Sequence, residues 1–211
     1  MKKVALIWDT PLLFSRLLEE CGCQCEQVTP HLLAAPFFRG SFSLILIPGG
    51  FGDRKRSRVL PALKALSGRF KRYVASGGVL FLFGAVCEDE NAYQWLVPEI
   101  RYHSSFCDVE IVPASLQSTA PPLLPINYVQ NDKTANVYCI DGYLSYETSE
   151  QEPDLSTVQI LATAEIAEHV YMPNFLQINY GKGVIFICTI HEYPTTEFLK
   201  QIIHDRENVM F

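Results

Sequence analysis

The fold of this chain is decided by a run of five apolar residues, Val79-Leu80-Phe81-Leu82-Phe83. The run is continuous and does not alternate with polar residues, which is typical of a strand buried on both faces. A second run of this kind, Ser43-Leu44-Ile45-Leu46-Ile47, ends at Pro48-Gly49-Gly50. Strands of this type belong to parallel sheets covered by helices. We therefore expect residues 79–83 to form the central strand of such a sheet.

The segments around these strands predict an alternation of strands and helices. A first strand is expected at Lys3–Trp8, and a helix follows at residues 11–20 behind a Thr10 cap. Apolar positions at helical spacing predict a long helix from about Lys55 to Ser76. A further helix is expected to begin near residue 88 and to stop before Pro98.

The C-terminal half has a different pattern, in which short segments alternate between apolar and polar residues. The predicted strands are Phe106–Val112, Val137–Ile140, Val158–Thr163, His169–Met172 and Phe175–Tyr180. A glycine hairpin at residues 180–183 then leads into a buried strand, Val184–Cys188. We interpret these strands as antiparallel additions to a mostly parallel central sheet. The predicted fold class is an α/β, flavodoxin-like three-layer sandwich, with residues 1–211 forming one domain.

Composition and charge restrict the possible functions. The chain has 211 residues, of which 48% are apolar and 19% charged, as in a soluble globular protein with a full core. The longest apolar run, Val79–Cys87, is far shorter than a membrane-spanning helix, and the first nine residues resemble a strand more than a signal peptide. We expect a cytoplasmic protein without a membrane span, in which the seven cysteines are reduced thiols.

The charges are unevenly distributed. Eight basic residues and no acid lie between Arg54 and Arg72, although the net charge of the chain is −6. The remaining residues include nine basic and 23 acidic side chains, which argues against nucleic-acid binding. Segment 54–72 is interpreted either as a solvated helix face or as a docking surface for an acidic partner or an anionic substrate.

Three turns are expected at the carboxyl ends of strands, where ligands bind in open α/β sheets. They are the glycine turn (Pro48–Gly52), the elbow (Gly84–Glu88) and His191-Glu192. The elbow carries a thiol, Cys87, the third turn places an imidazole beside an acid, and the glycine turn offers backbone N–H groups. These are the parts that thiol-based acyl transfer requires.

This order of elements resembles the class I glutamine amidotransferases, in which a Pro-Gly-Gly turn, a cysteine elbow and a late histidine meet. The resemblance implies that Cys87 attacks the side-chain amide of glutamine, that His191 acts as general base and acid, and that Glu192 orients the imidazole. Ammonia would pass to a synthase partner, for which segment 54–72 is a docking candidate. The resemblance implies no cofactor and no metal.

The same resemblance assigns substrate and oxyanion contacts. They fall to Gly49 and Gly50 in the glycine turn and to Glu88 and Asn91 after the nucleophile. The amides of Gly50 and Glu88 would hold the oxyanion. Asn91 stands where the family has a glutamine.

The elbow departs from the family pattern G-x-C-x-G. Alignment on Cys87 loses both glycines, and alignment on Gly84 places Val86 at the nucleophile. The acids that follow Cys87 favour a neutral thiol. The alternative is therefore a catalytically degenerate, amidotransferase-like binding or assembly subunit.

A third hypothesis is a cysteine hydrolase of the related intracellular protease and glyoxalase superfamily. Enzymes of that superfamily usually have a glutamate near the end of the first strand that bonds to the thiol, and here only Asp9 is close. The closely spaced Cys21, Cys23 and Cys25 do not have the spacing of a zinc site and are interpreted as ordinary thiols.

Overall fold

The computed structural model describes residues 1–113, 137–146 and 156–211. Within them the strands are β1 (Lys3–Ile7), β2 (Gln24–Val28), β3 (Ser41–Phe42), β4 (Leu44–Ile47), β5 (Val79–Phe83), β6 (Ile100–Pro113), β7 (Val137–Tyr146), β8 (Ser156–Ala167), β9 (Val170–Tyr180), β10 (Gly183–Cys188) and β11 (Val209–Met210). The helices are α1 (Phe14–Glu20), α2 (Pro30–Leu33), α3 (Val59–Ala65), α4 (Ser67–Ala75) and α5 (Thr196–His204).

Nine of these strands form one sheet in the order β2-β1-β4-β5-β10-β9-β8-β6-β7. The first five strands of that order are parallel to one another, and β5 lies between β4 and β10. All five residues of β5 are buried, and its bounds are those predicted from the apolar run. Alternate residues of β5 belong to different hydrophobic clusters: Leu80 and Leu82 lie in one, and Phe81 and Phe83 in the other.

The predicted fold class, a flavodoxin-like three-layer sandwich with a mostly parallel sheet, is wrong. The four junctions from β10 to β7 are antiparallel, so the antiparallel half of the sheet is as large as the parallel half. Within the described residues no helix is longer than nine residues. Ile140 in β7 also forms an isolated bridge with Ile190, just after β10. The antiparallel half therefore curls back toward the parallel half.

Two helix predictions are also wrong. The long helix expected at 55–76 is divided at Leu66, whose φ of −107° and ψ of 17° interrupt the helical path between α3 and α4. No helix forms between residues 88 and 97. There the Asp89 side chain accepts a hydrogen bond from the Asn91 amide, and the Asp89 carbonyl accepts one from Ala92, three residues on. This local bonding replaces a helical start with a series of turns.

Within the described part of the chain, no helix is both long enough and apolar enough to span a membrane.

Candidate functional site

A cleft of about 790 Å³ opens at the carboxyl ends of the parallel strands. Its walls are largely aromatic and aliphatic, and they include Trp8, Leu13, Phe14, Phe83, Phe106 and Tyr193. Its polar side chains are Arg56, Asp141 and His191. The volume falls within the range of small-molecule binding sites, in which a few polar groups orient a ligand inside an apolar pocket.

His191 is paired with Asp141 at one wall of the cleft. Its Nδ1 lies 3.1 Å from Asp141 Oδ1, and the imidazole is 62% exposed whereas the carboxyl is 5% exposed. Since Nδ1 faces the carboxyl, Nε2 is the ring nitrogen that is left for a ligand. Burial raises the pKa of Asp141, and the nearby His191 opposes that shift.

Backbone hydrogen bonds hold this pair in register across two distant segments. The Asp141 amide donates to Thr189 O at 2.7 Å, and the His191 amide donates to Cys139 O at 2.9 Å. Strand β7 is thereby joined to the residues that follow β10. The two side chains are 50 residues apart in sequence, and Asp141 was not among the predicted site residues. The available signal was an acid beside Gly142, the one charged residue of β7.

Glu192, the acid expected to orient His191, points elsewhere. Its Oε1 accepts a hydrogen bond from the Cys139 amide at 3.4 Å, and its Oε2 is buried without a hydrogen-bond partner. The structure therefore places Asp141, and not Glu192, in contact with the imidazole.

Val86 occupies the turned position of the elbow. It has a φ of 53°, in the left-handed region, which is a rare conformation for a β-branched residue. Its side chain lines the cleft, as does that of His191. The Val86 amide donates to Tyr102 Oη at 3.2 Å, and the same hydroxyl donates to the Asp141 carbonyl. Tyr102 thus joins the elbow to the strand that carries Asp141.

Cys87 does not line the cleft that His191 lines. Its sulfur makes a long contact of 3.9 Å with Asp89 O and packs against Gly52 in the glycine turn. A side chain added at Gly52 would collide with this sulfur and would lie 2.9 Å from the Ala85 carbonyl. Burial raises the pKa of the Cys87 thiol, and Asp89 contributes in the same direction through its charge.

Of the two backbone amides expected to bind an oxyanion, that of Gly50 is engaged within the protein, as is the amide of the nearby Gly52. Gly50 N donates to Gly84 O at 2.8 Å, and Gly52 N donates to Ala85 O at 2.9 Å. These bonds attach the glycine turn to the elbow. Gly49 lines the cleft beside Gly50, which has a φ of +87°.

The remaining predicted contacts lie apart from the cleft. Glu88 and Asn91 are exposed and do not line it. The Asn91 amide is bound to the Asp89 side chain. The structure therefore brings together the glycine turn, Val86 and His191, and it does not bring Cys87, Glu88 or Asn91 to them.

Asp9 has a capping role at the start of α3. Its carboxylate accepts hydrogen bonds from Ser57 Oγ at 2.7 Å and from the Arg58 amide at 3.1 Å. Ser57 Oγ in turn accepts from Val59 N at 3.0 Å. The acid that the protease and glyoxalase hypothesis requires is thus bound to the beginning of a helix.

Comparison with known proteins shows a likeness of fold alone. No family model and no curated protein sequence matches the chain. A cytoplasmic protein of Salmonella typhimurium LT2 has a similar structure, with 12% identity, a TM-score of 0.53, and coverage of 98% of this chain and 100% of that one. A β-galactosidase from Rahnella sp. R3 has 13% identity and a TM-score of 0.53 over 97% of this chain.

This chain spans 30% of the length of that β-galactosidase. A ThuA-like protein from Bacteroides uniformis ATCC 8492 also matches, with 10% identity, a TM-score of 0.46, and coverage of 95% of this chain and 88% of that one.

Proposed function

We propose that this chain is a catalytically degenerate, amidotransferase-like protein whose cleft binds a small molecule without hydrolysing it. The observation that carries the proposal is Val86 at the turned position of the elbow, with its side chain lining the cleft beside His191. In the family that the chain resembles, this turn presents the cysteine nucleophile. A valine side chain offers no nucleophilic atom there.

The hydrogen bonds around the elbow support the same proposal. Stabilisation of an oxyanion requires N–H groups that are free to bind the developing charge. The Gly50 and Val86 amides instead donate to Gly84 O and to Tyr102 Oη. An amide substrate in the cleft would have to displace these internal bonds before either group could serve it.

The environment of Cys87 is unsuited to nucleophilic attack. A thiol reacts as its thiolate, and burial raises the pKa of Cys87. The neighbouring Asp89 and Glu88 also disfavour the thiolate by their negative charge. We infer that Cys87 packs the glycine turn against the elbow.

Alkylation of Cys87, and of a thiol introduced at position 86, tests this proposal. We expect Cys87 in the unmodified protein to react with the chloroketone analogue of glutamine roughly tenfold more slowly than the thiol of a Val86→Cys variant, because only position 86 faces the cleft. The rates are measured by mass spectrometry of proteolytic peptides. The double variant V86C/C87A assigns the reactive sulfur, and Cys87→Ala gives the background.

The opposite order of rates would contradict the proposal. Rapid labelling of Cys87 that glutamine suppresses would favour an active glutaminase. Because alkylation reports the thiol directly, the experiment does not depend on a synthase partner.

A further inference from the structure

A basic segment lies at the mouth of the cleft. Residues 53–58, here called the rim segment, connect the glycine turn to α3 and expose the side chains of Arg54, Lys55, Arg56 and Arg58. Asp53 is the one acid of this segment, and it contacts Arg56 Nε at 3.3 Å. Arg56 is nevertheless 74% exposed and lines the cleft. The rim segment therefore carries an excess of positive charge beside the opening.

Two of the basic residues further along, Lys64 and Arg69, have structural partners. Lys64 forms an ion pair with Asp89 at 3.0 Å. Arg69 donates to the carbonyls of Phe38 and Phe211, each at 3.0 Å, and its guanidinium lies 4.4 Å from the centre of the Phe211 ring. Within the described residues, by contrast, Lys55 and Arg58 form no side-chain ion pair. Lys55 and Arg58 thus add positive charge without an ion-pair partner to the segment from which Arg56 lines the cleft.

The interior of the cleft is lined mainly by apolar side chains and by few polar ones. Phe14 and Tyr193 meet edge to face with their ring centres 4.9 Å apart, and Trp8 lines the same space. The ring of Phe106, which also lines the cleft, meets that of His191 edge to face with the ring centres 6.0 Å apart. Flat aromatic walls of this kind bind planar or aliphatic groups by dispersion and by loss of hydration.

The acids near the cleft are largely neutralised. Asp141 is buried and paired with His191, and its raised pKa reflects the cost of holding a charge there. Asp53 is bound to Arg56, and its other oxygen accepts from the Lys55 amide at 2.9 Å. The groups left to meet a ligand are the imidazole edge of His191 and the outer nitrogens of Arg56. Arg56 donates hydrogen bonds to an anion, and Nε2 of His191 does so when both ring nitrogens carry a proton.

We propose that the cleft binds a small organic anion with an aromatic or aliphatic body. The body packs against Trp8, Phe14 and Tyr193, and a carboxylate or phosphate contacts Arg56 and His191. The rim segment draws the anion toward the opening through its net positive charge. This inference rests on the proposed function, because it names the ligand class of the same cleft.

Binding of three matched probes tests the inference. Naphthylacetate, naphthylacetamide and naphthyl phosphate share an aromatic body and differ in charge, and their affinities are measured by isothermal titration calorimetry. We expect one of the two anions to bind roughly tenfold more tightly than the neutral amide, because a charge-assisted hydrogen bond adds about that much affinity. The stronger anion identifies the acid group that the site accepts.

Two variants localise the charge effect. Arg56→Gln should remove most of the preference for the anion and leave the affinity for the amide unchanged. Arg72→Gln changes the net charge equally on an exposed position of α4 outside the cleft, so it should leave the preference intact.

Each other result overturns the inference in a distinguishable way. Equal or tighter binding of the amide shows that the ligand is not an anion, while the cleft remains a binding site. An equal loss in both variants shows that only the overall charge matters. If none of the probes binds, this ligand class is excluded, and the alkylation rates at positions 86 and 87 still decide the proposed function independently.

Discussion

Replacement of Gly84 by alanine is expected to lower the free energy of unfolding by about 2–3 kcal/mol, as overpacking in a buried site does. A Cβ at this position would lie 2.6 Å from Asp141 Cβ and 2.7 Å from Asp141 Oδ2. Asp141 cannot retreat easily, because its backbone is bound to Thr189 and its side chain to His191. The collision therefore displaces the carboxyl from the imidazole as well as straining the elbow.

Urea denaturation followed by circular dichroism measures this loss, and Gly49→Ala provides the matched control. A Cβ at Gly49 would lie 3.6 Å from the Gly84 carbonyl oxygen, which is an ordinary contact. We expect the control to change stability by less than about 1 kcal/mol. Equal stabilities of the two variants would show that Asp141 is not packed against the elbow as described.

Replacement of Tyr102 by phenylalanine is expected to destabilise the protein by about 2 kcal/mol, because a buried carbonyl and a partly buried amide lose their partner at once. The hydroxyl accepts from the Val86 amide and donates to the Asp141 carbonyl, and Tyr102 is 1% exposed. Phenylalanine has nearly the same shape, so the change isolates the hydrogen bonds from the packing.

Thermal and urea unfolding measure the effect, and Tyr171→Phe on the surface is the control. Tyr171 is 47% exposed, so removal of its hydroxyl should change stability by less than about 0.5 kcal/mol. A loss no greater than that of the control would mean that the Tyr102 hydroxyl does not support the elbow. If the nuclear magnetic resonance signal of the His191 ring is the same in Tyr102→Phe as in the unmodified protein, Tyr102 does not influence the cleft.

The sequence was informative where one physical effect dominates. Continuous apolar runs predicted β4 and β5, because a strand buried on both faces can carry few polar side chains. The rule that ligands bind beyond the carboxyl ends of parallel strands directed attention to the glycine turn and to His191, and both line the cleft.

The antiparallel half was underestimated because irregular pairing hides the periodicity. Strands β6 and β8 have 14 and 12 residues, yet register shifts interrupt both. Each shift moves the apolar residues to the other phase of the alternation, so a long strand resembles several short ones. The break at Leu66 was hidden for another reason, since the apolar stripe continues across it on α3 and α4.

The candidate site depended on contacts that no local pattern encodes. The pairing of Asp141 with His191 requires β7 to return to the end of β10, which is a property of the whole sheet. Whether Val86 or Cys87 takes the nucleophile's position in the elbow depends on which of them adopts the left-handed conformation. The sequence alone does not distinguish two neighbouring residues of one turn in this respect.

Because β7 returns to the end of β10, the position of the His191 ring depends on a strand at the far edge of the sheet. In the sheet order, β7 is the outermost strand, yet it supplies the carboxyl that fixes the ring. A ligand that binds His191 while it is paired with Asp141 would therefore also stabilise β7 against local unfolding, because the pair exists only when β7 is in place. The protection of the β7 amides from hydrogen exchange should therefore increase as the cleft is filled by ligand.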